Sequence, residues 1–307
     1  MEVKEAARRP QGWMAGAAVY GIFGALLPRI AACPLGWAAA LLGMLPAALL
    51  PRCSLPGRWQ KTLRLIRCVW ALEVMALSLS LCAEGLVEYD YTGWKAWCPA
   101  LLMLVLGWRG SYLSSLALER LGKLMFWLLG GMAVALFLLT VPRVELGRLA
   151  VQSWRDVAEA GNIFLLTAGA ASALVPAGGK APTLASSCAG SVAVATTTGA
   201  EGAALAAMLD YPFLTLCSAA VFDMRMSPFG SAMWALSQCA LLIHLLAWFP
   251  GGKWVRLGAA AAVFLLTFTL PWPDHAAYVL LAFGAAVGYL PILWSMLHKR
   301  LTGEDYI

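Results

Sequence analysis

Long apolar segments recur along this chain, and they constrain its fold more than any other feature. A membrane-spanning helix needs roughly 20 apolar residues, and ten segments approach or reach that length. They lie at residues 12–32, 35–51, 64–86, 95–108, 119–141, 158–177, 184–209, 228–249, 254–272 and 275–297. Charged residues make up only 12% of the chain, against about 25% in soluble domains. The pattern predicts one all-α integral membrane domain over residues 1–307, with ten transmembrane helices.

The distribution of positive charge supports this number of spans. If residues 1–11 are cytoplasmic, sixteen of the 22 Lys and Arg residues fall on the cytoplasmic side and six on the other. Cytoplasmic loops are enriched in Lys and Arg, so residues 1–11 and 298–307 are both predicted to be cytoplasmic. The same distribution explains the net charge of +6 without a nucleic acid partner.

The first segment contains an irregular stretch, residues 20–29, with Gly21 and Gly24 inside it and Pro28-Arg29 at its end. Glycine weakens a helix interior, and freed backbone groups in a bilayer must be satisfied by protein or by a cavity. One interpretation is that the helix unwinds here around a ligand. The alternative is that the glycines let a neighbouring helix pack closely.

A similar stretch in the second half of the chain favours an internal repeat. Residues 167–172 are small and polar at mid-depth, and they occupy in the sixth segment the place that residues 21–24 occupy in the first. Residues 210–228 are interpreted as an outer interfacial helix, and residues 112–120 as its cytoplasmic counterpart. Together these features predict a five-plus-five inverted repeat with discontinuous first and sixth helices, which is typical of transporters.

Polar residues inside the spans are candidates for a site. Ser78, Ser237 and Gln238 lie near mid-depth, where they either contact a ligand or make interhelical hydrogen bonds. Glu73 is the carboxylate deepest in an apolar segment, which makes it a candidate proton site. The alternative for Glu73 is a polar partner nearby, or a side chain that reaches the cytoplasmic end of its span.

Motifs of enzymes and metal sites are not found in the sequence. There is no nucleotide-binding glycine-rich loop and no H-E-x-x-H motif. The 8 cysteines are scattered without ligand spacing. No enzymatic activity, cofactor or metal is therefore predicted.

Four stretches, taken in order, resemble the B subunits of spore germinant receptors, also called endospore germination permeases. The stretches are residues 21–29 followed by Gly36-Trp37, residues 117–127, residues 141–149, and residues 211–225 followed by Trp234. This family is a branch of the amino acid–polyamine–organocation superfamily. The resemblance covers nearly the whole chain. It departs from the family pattern at Phe23, where a small residue is usual.

The resemblance implies ten spans in a five-plus-five inverted repeat, with the first and sixth helices unwound around a small germinant such as an amino acid. Gly21 matches the glycine that the family places at the ligand. On this view the backbone at Gly21, Ile22 and Gly24 would bind a carboxylate, because half-helix N-termini favour anions. Thr167 and Gly169 would form the facing wall, and Ser78, Ser237 and Gln238 would contact the rest of the ligand.

The resemblance further implies receptor A and C subunits as partners, and a bacterial plasma membrane or spore inner membrane as the location. Three functions remain open. The first is a germinant-sensing subunit. The second is a secondary transporter of amino acids or other small metabolites, with Glu73 coupling it to protons. The third is a scaffold subunit without a working site, in which Phe23 fills the pocket.

Overall fold

A computed structural model describes residues 12–49, 57–90, 93–174, 180–218, 227–249 and 251–269, together with Gly284, Tyr289, Leu293 and Leu297. This part of the chain is helical and contains no strand. Its α-helices are α1 Gly12–Ala31, α2 Gly36–Leu49, α3 Gly57–Tyr89, α4 Trp97–Gly110, α5 Ser115–Thr140, α6 Trp154–Ser172, α7 Lys180–Glu201, α8 Ala203–Ala206, α9 Pro212–Ser218, α10 Ser227–Trp248 and α11 Lys253–Thr269. Two 3₁₀ turns, Val141–Arg143 and Leu146–Leu149, join α5 to α6.

The hydropathy pattern located these helices well. The first nine predicted segments each overlap a helix, and all but four residues of the tenth lie outside the described residues. Four helical stretches are long and apolar enough to cross a membrane, namely Gly12–Ala31, Leu65–Tyr89, Ser115–Arg143 and Pro228–Trp248. Two shorter apolar helices, α2 and α4, accompany them. The architecture is that of an all-α membrane protein.

Three predicted local features were wrong. The seventh segment was expected to run to residue 209, but α7 ends at Glu201, because Gly202 has a left-handed φ of +85° that interrupts the helix before α8. Residues 112–120 were expected to form an interfacial helix. Instead the side chain of Ser114 caps α5 by accepting a hydrogen bond from Ala117 N at 3.3 Å, so residues 115–120 are the first turns of that spanning helix. The predicted break in the sixth segment is absent, since α6 is continuous through residues 167–172.

Helix α1 lies at the centre of the fold. In its most apolar window 83% of the residues are buried, against 28% in α5, which therefore presents most of its surface outward. Helices α7, α10 and α5 pack most extensively on α1. Helix α2 is held between α6 and α7, while α11 packs against α3 and α4 at the periphery.

The helix ends form two faces, each held together by contacts between segments distant in sequence. On the first, a Cβ at Gly122 would lie 2.5 Å from Met14 N, and Tyr112 Oη donates a hydrogen bond to the Lys253 carbonyl at 2.6 Å. This first face is called the basic face here, because it carries the cations Arg109, Arg120, Lys123, Lys180, Lys253 and Arg256. On the opposite face, Thr198 Oγ1 donates to the Ala31 carbonyl at 3.1 Å. The membrane orientation predicted from charge stays a prediction.

Candidate functional site

The glycines of the irregular stretch lie where α1 crosses α10. Helix α1 is unbroken through Gly21 and Gly24, so the prediction of a discontinuous first helix was wrong. A Cβ at Gly21 would lie 2.7 Å from the Ser237 carbonyl oxygen, and one at Gly24 would lie 2.8 Å from the Trp234 ring. The close-packing interpretation is the correct one, because only glycine lets the two backbones approach this far.

Gln238 strengthens the same crossing. Its Nε2 donates a hydrogen bond of 2.9 Å to the Gly21 carbonyl, between α10 and α1. The side chain is fully buried, and its Oε1 has no hydrogen-bond partner among the described residues. Gln238 therefore makes the interhelical bond that was one of its two predicted roles.

A cavity lies beside this crossing, toward the opposite face. It is bounded by residues from α1, α5, α7, α10 and the segment that begins α9, and it encloses about 550 Å³ of empty space, including open space at its mouth. Its lining consists of Tyr20, Phe23, Gly24, Leu27, Pro28, Ala133, Ala189, Gly190, Ala193, Tyr211, Pro212, Phe213, Met233, Trp234 and Ser237. None of these residues carries a charge at neutral pH, and five of them are aromatic.

Phe23 forms a wall of the cavity. Its ring packs against α7 at Gly190, where a Cβ would lie 2.5 Å from the Phe23 ring. The small residues Ala189 and Ala193 continue this wall on either side. Glycine at position 190 thus makes room for the Phe23 ring, and space remains beside that ring.

Few polar groups reach the cavity. Ser237 lines it, but its Oγ donates a 2.7 Å hydrogen bond to the Trp234 carbonyl one turn earlier in α10. The indole Nε1 of Trp234 is buried and has no acceptor among the described residues. Trp234 is thus the lining side chain with an unused hydrogen-bond donor.

Carboxylates gather at Tyr211, where the cavity meets the opposite face. Tyr211 Oη donates to Glu84 Oε2 at 3.4 Å, while Glu84 Oε1 accepts from Ser80 Oγ at 3.2 Å. Burial raises the pKa of the Tyr211 phenol. The neighbouring carboxylates of Glu84, Glu88 and Asp210 raise this pKa further. Tyr211 therefore remains a neutral donor, in contact with both the carboxylates and the cavity.

Two aromatic contacts hold this corner in place. The ring centroids of Tyr211 and Trp234 lie 5.9 Å apart, and those of Tyr89 and Tyr211 lie 6.1 Å apart in an edge-to-face arrangement. The hydroxyl groups of Tyr89 and Thr215 are 2.6 Å apart and hydrogen-bonded, which joins α3 to α9. Gly85 faces Tyr211 and Trp234, since a Cβ there would come within 3.0 Å of both rings.

The other predicted site residues do not meet at this cavity. Thr167 and Gly169 lie on α6 against α2, with Thr167 Oγ1 bonded to the Ile163 carbonyl at 2.8 Å, so they are not the facing wall. Ser78 is buried and donates to the Met75 carbonyl at 3.1 Å within α3. Ile22 is part of the packed core. The hydroxyl groups of Thr167 and Ser78 are satisfied by carbonyls of their own helices, which is why polarity alone was a poor guide.

Glu73 lies on α3 outside the cavity lining. Its Oε1 is buried and lacks a hydrogen-bond partner among the described residues. The predicted role as a proton site is untested by this geometry. Across the described residues, no group of three or more His, Cys, Asp or Glu side chains could hold a metal ion.

The aromatic lining was missed by the sequence reasoning. Tyr20, Tyr211, Phe213 and Trp234 were not selected, because the search was for polar groups at mid-depth. Three of them belong to the stretches that carry the family resemblance, residues 211–225 and Trp234. That grouping was the signal that could have found them.

No protein-family model matches the chain, and no curated protein sequence matches it either.

Proposed function

We propose that this chain is a membrane-embedded receptor subunit of the spore germinant receptor B type, which binds a small molecule in the cavity beside α1. The observation that carries the proposal is that cavity, set against the most buried helix and lined by residues from five elements. Ligand pockets are commonly concave and mostly apolar, with few polar groups. The resemblance of residues 21–29, 211–225 and Trp234 to the germinant receptor family points to the same place.

The helix pairing supports a five-plus-five inverted repeat as the fold of this receptor. A five-plus-five repeat would pair α1 with α6, α2 with α7, α3 with α10 and α4 with α11. Under this exchange the α1–α7 contact becomes the α6–α2 contact, and both contacts are extensive. The same exchange converts α10–α4 into α3–α11, which also pack together. Two pairs of contacts follow this symmetry, whereas the extensive α1–α10 contact has only a small counterpart between α6 and α3, so we infer the repeat from the two pairs. It does not depend on broken helices.

Ligand binding would act through α9 and the residues that lead into it. Tyr211, Pro212 and Phe213 line the cavity from this short element, whereas the other walls belong to long helices. A molecule held between α1, α10 and α9 stabilises the conformation in which α9 packs against α1 and α10. A ligand shifts such an equilibrium only by its difference in affinity for the two states. The shift would then pass to receptor A and C subunits, the partners implied by the family.

The amino acid ligand is the part of the expectation that this cavity supports least. A carboxylate needs a cation or free backbone N–H groups when it leaves water. No lining residue is Lys or Arg, and the amides of α1 belong to a continuous helix. The chemical class of the ligand is therefore better inferred from the residues that line the cavity than from the amino acid ligands that the family resemblance implies.

A secondary transporter is the second candidate, and Glu73 is the observation that favours it. One oxygen of this carboxyl group, Oε1, is buried without a partner among the described residues, and an ionisable group inside a membrane helix is a candidate to carry a proton. Proteoliposomes loaded at one pH and diluted into another distinguish the two functions. Accumulation of a labelled ligand driven by the pH gradient, and lost in Glu73→Gln, would establish transport and overturn the pure receptor.

Filling the cavity tests the receptor function. Ala193→Phe places a ring into the cavity, so we expect it to abolish the thermal stabilisation that small ligands give the purified protein. Val192→Phe is the matched control, since its side chain is exposed on the same helix and does not line the cavity. A panel of standard amino acids, small amines and small alcohols serves as ligands. If no compound stabilises the unsubstituted protein, the proposal fails and the scaffold function is preferred. The proposal also fails if ligands stabilise Ala193→Phe as much as the unsubstituted protein.

A further inference from the structure

The cavity has the lining of a site for a cation. Five aromatic residues line it, namely Tyr20, Phe23, Tyr211, Phe213 and Trp234. The face of an aromatic ring attracts a cation within about 6 Å, and cages of such rings are used to bind organic ammonium ions. No Lys or Arg lines the cavity to compete with such a ligand.

The rim of the cavity carries several carboxyl groups. Glu84, Glu88 and Asp210 are exposed carboxylates that lie close enough to the Tyr211 hydroxyl to act on it electrostatically, and Glu84 also accepts its hydrogen bond. Asp90 and Glu201 act in the same way on Cys217, which lies on the short helix α9. Five carboxyl groups thus lie around α9, and those that are ionised raise the local concentration of cations.

A second observation, independent of the carboxylates, indicates that the cavity holds a ligand. Trp234 is 4% exposed, and its indole N–H has no acceptor within the described part of the chain. The indole ring borders the cavity, and its Nε1 is packed against α1 at Gly24, where a Cβ would lie 2.8 Å from it. Buried donors are normally satisfied, and a neutral oxygen of a bound molecule would satisfy this one.

We propose that the cavity binds a small organic ammonium ion with an apolar body and no carboxylate, with the ammonium group toward Tyr211 and the acidic rim. The inference rests on the proposed function and specifies the ligand class of that site. The apolar body lies against Phe23, Leu27 and Met233, and the ammonium remains near Glu84. A carboxylate on the same ligand would be repelled at the rim and unpaired in the interior.

The test compares four compounds that share one branched apolar body: L-leucinol, 3-methylbutylamine, L-leucine and 4-methylpentan-1-ol. The first two carry an ammonium group without a carboxylate, leucine carries both groups, and the alcohol carries neither. Binding is measured by calorimetry on the full chain in lipid nanodiscs at neutral pH. We expect both amines to bind at least about tenfold more tightly than leucine or the alcohol, since the ring and rim contacts act on the cation alone.

Variants then assign the effect to the rim. Glu84→Gln keeps the hydrogen-bonding capacity but removes the charge, and we expect it to weaken binding of both amines about threefold or more, while the alcohol is unaffected. Asp210→Asn repeats the test at a second carboxylate, in case Glu84→Gln impairs folding. Glu159→Gln is the control, an exposed carboxylate on α6, which does not line the cavity. Added salt should weaken amine binding to the unsubstituted protein.

The outcomes separate this inference from the proposed function. Leucine or the alcohol binding as tightly as the amines overturns the ammonium site and leaves a small-molecule receptor in place. Failure of all four compounds to bind at millimolar concentration overturns the ammonium site, and the cavity loses its role as the receptor site as well. Equal losses in Glu84→Gln and Glu159→Gln would also overturn the assignment, since the effect would then be nonspecific surface charge.

Discussion

At the scale of single residues, the same two glycines supported opposite expectations. Gly21 and Gly24 weaken a helix on propensity alone, and they also permit close helix contact. The structure selects the second role because Ser237 and Trp234 of α10 occupy the space that side chains at these positions would need. Helix α1 remains intact, and the Gly21 carbonyl accepts an additional hydrogen bond from Gln238.

Gly21→Ala tests this contact. The added methyl group would meet the Ser237 carbonyl at 2.7 Å and Leu241 Cβ at 2.8 Å, so α1 and α10 must separate. We expect a loss of about 1–3 kcal/mol in unfolding free energy, as for other overpacked sites, measured by thermal or denaturant unfolding in detergent. Gly131→Ala is the control, because no atom lies within 4 Å of its added Cβ. An unfolding free energy for Gly21→Ala equal to that of the control would contradict the close crossing.

At the scale of elements, helix ends are set by individual side chains that the sequence displays clearly. Asp156 closes the start of α6, where its Oδ2 accepts hydrogen bonds from Gln152 N at 2.8 Å and Ser153 N at 2.9 Å. Gly202 ends α7 with its left-handed backbone. Residue types such as Asp and Gly indicate that a helix starts or ends nearby. They do not indicate which other helices it packs against.

The Asp156 cap should depend on pH. Its two backbone hydrogen bonds lower the pKa of the carboxyl group, so the charged form is favoured in the folded protein. The resulting stabilisation is fully present above the ordinary Asp pKa of about 4 and is lost as the pH falls through the lowered value. We expect Asp156→Ala to reduce thermal stability at neutral pH and to have little effect in strong acid.

Glu159→Ala provides the comparison for this cap, because Glu159 is an exposed carboxylate on the same helix and accepts no backbone hydrogen bond in the described structure. Unfolding temperatures are measured across the acidic range for both variants. A difference between Asp156→Ala and the unsubstituted protein that persists unchanged in strong acid would rule out the charged cap.

At the scale of the whole molecule, the two faces differ in charge as well as in position. The basic face carries the cations of the α4–α5 and α10–α11 connections, and Arg256 ties these together by donating to the Ser111 carbonyl. The guanidinium also lies 5.5 Å from the Tyr112 ring centroid. The opposite face carries Asp156, and it carries Glu84, Glu88 and Asp210 near Tyr211 at the cavity.

Cysteine labelling tests the orientation of these faces. In a cysteine-free background, we expect Glu159→Cys to react with a membrane-impermeant maleimide on intact cells, and Lys253→Cys to react only after permeabilisation. The reason is the enrichment of cations on the cytoplasmic side. The reverse pattern would invert the orientation, and labelling of both positions on intact cells would contradict the separation into two faces.

The sequence by itself determined where most of the described helices lie, and that several of them are apolar and long enough to cross a membrane. These properties depend on local composition, since apolar length and charge distribution act over consecutive residues. Only the tertiary structure decided that α1 is unbroken and that an aromatic cavity lies beside it. Residues 20–28, 189–193, 211–213 and 233–237 meet there from distant parts of the chain. Whether a glycine unwinds a helix or admits a neighbour depends on what packs against it, and one segment read alone does not contain that information.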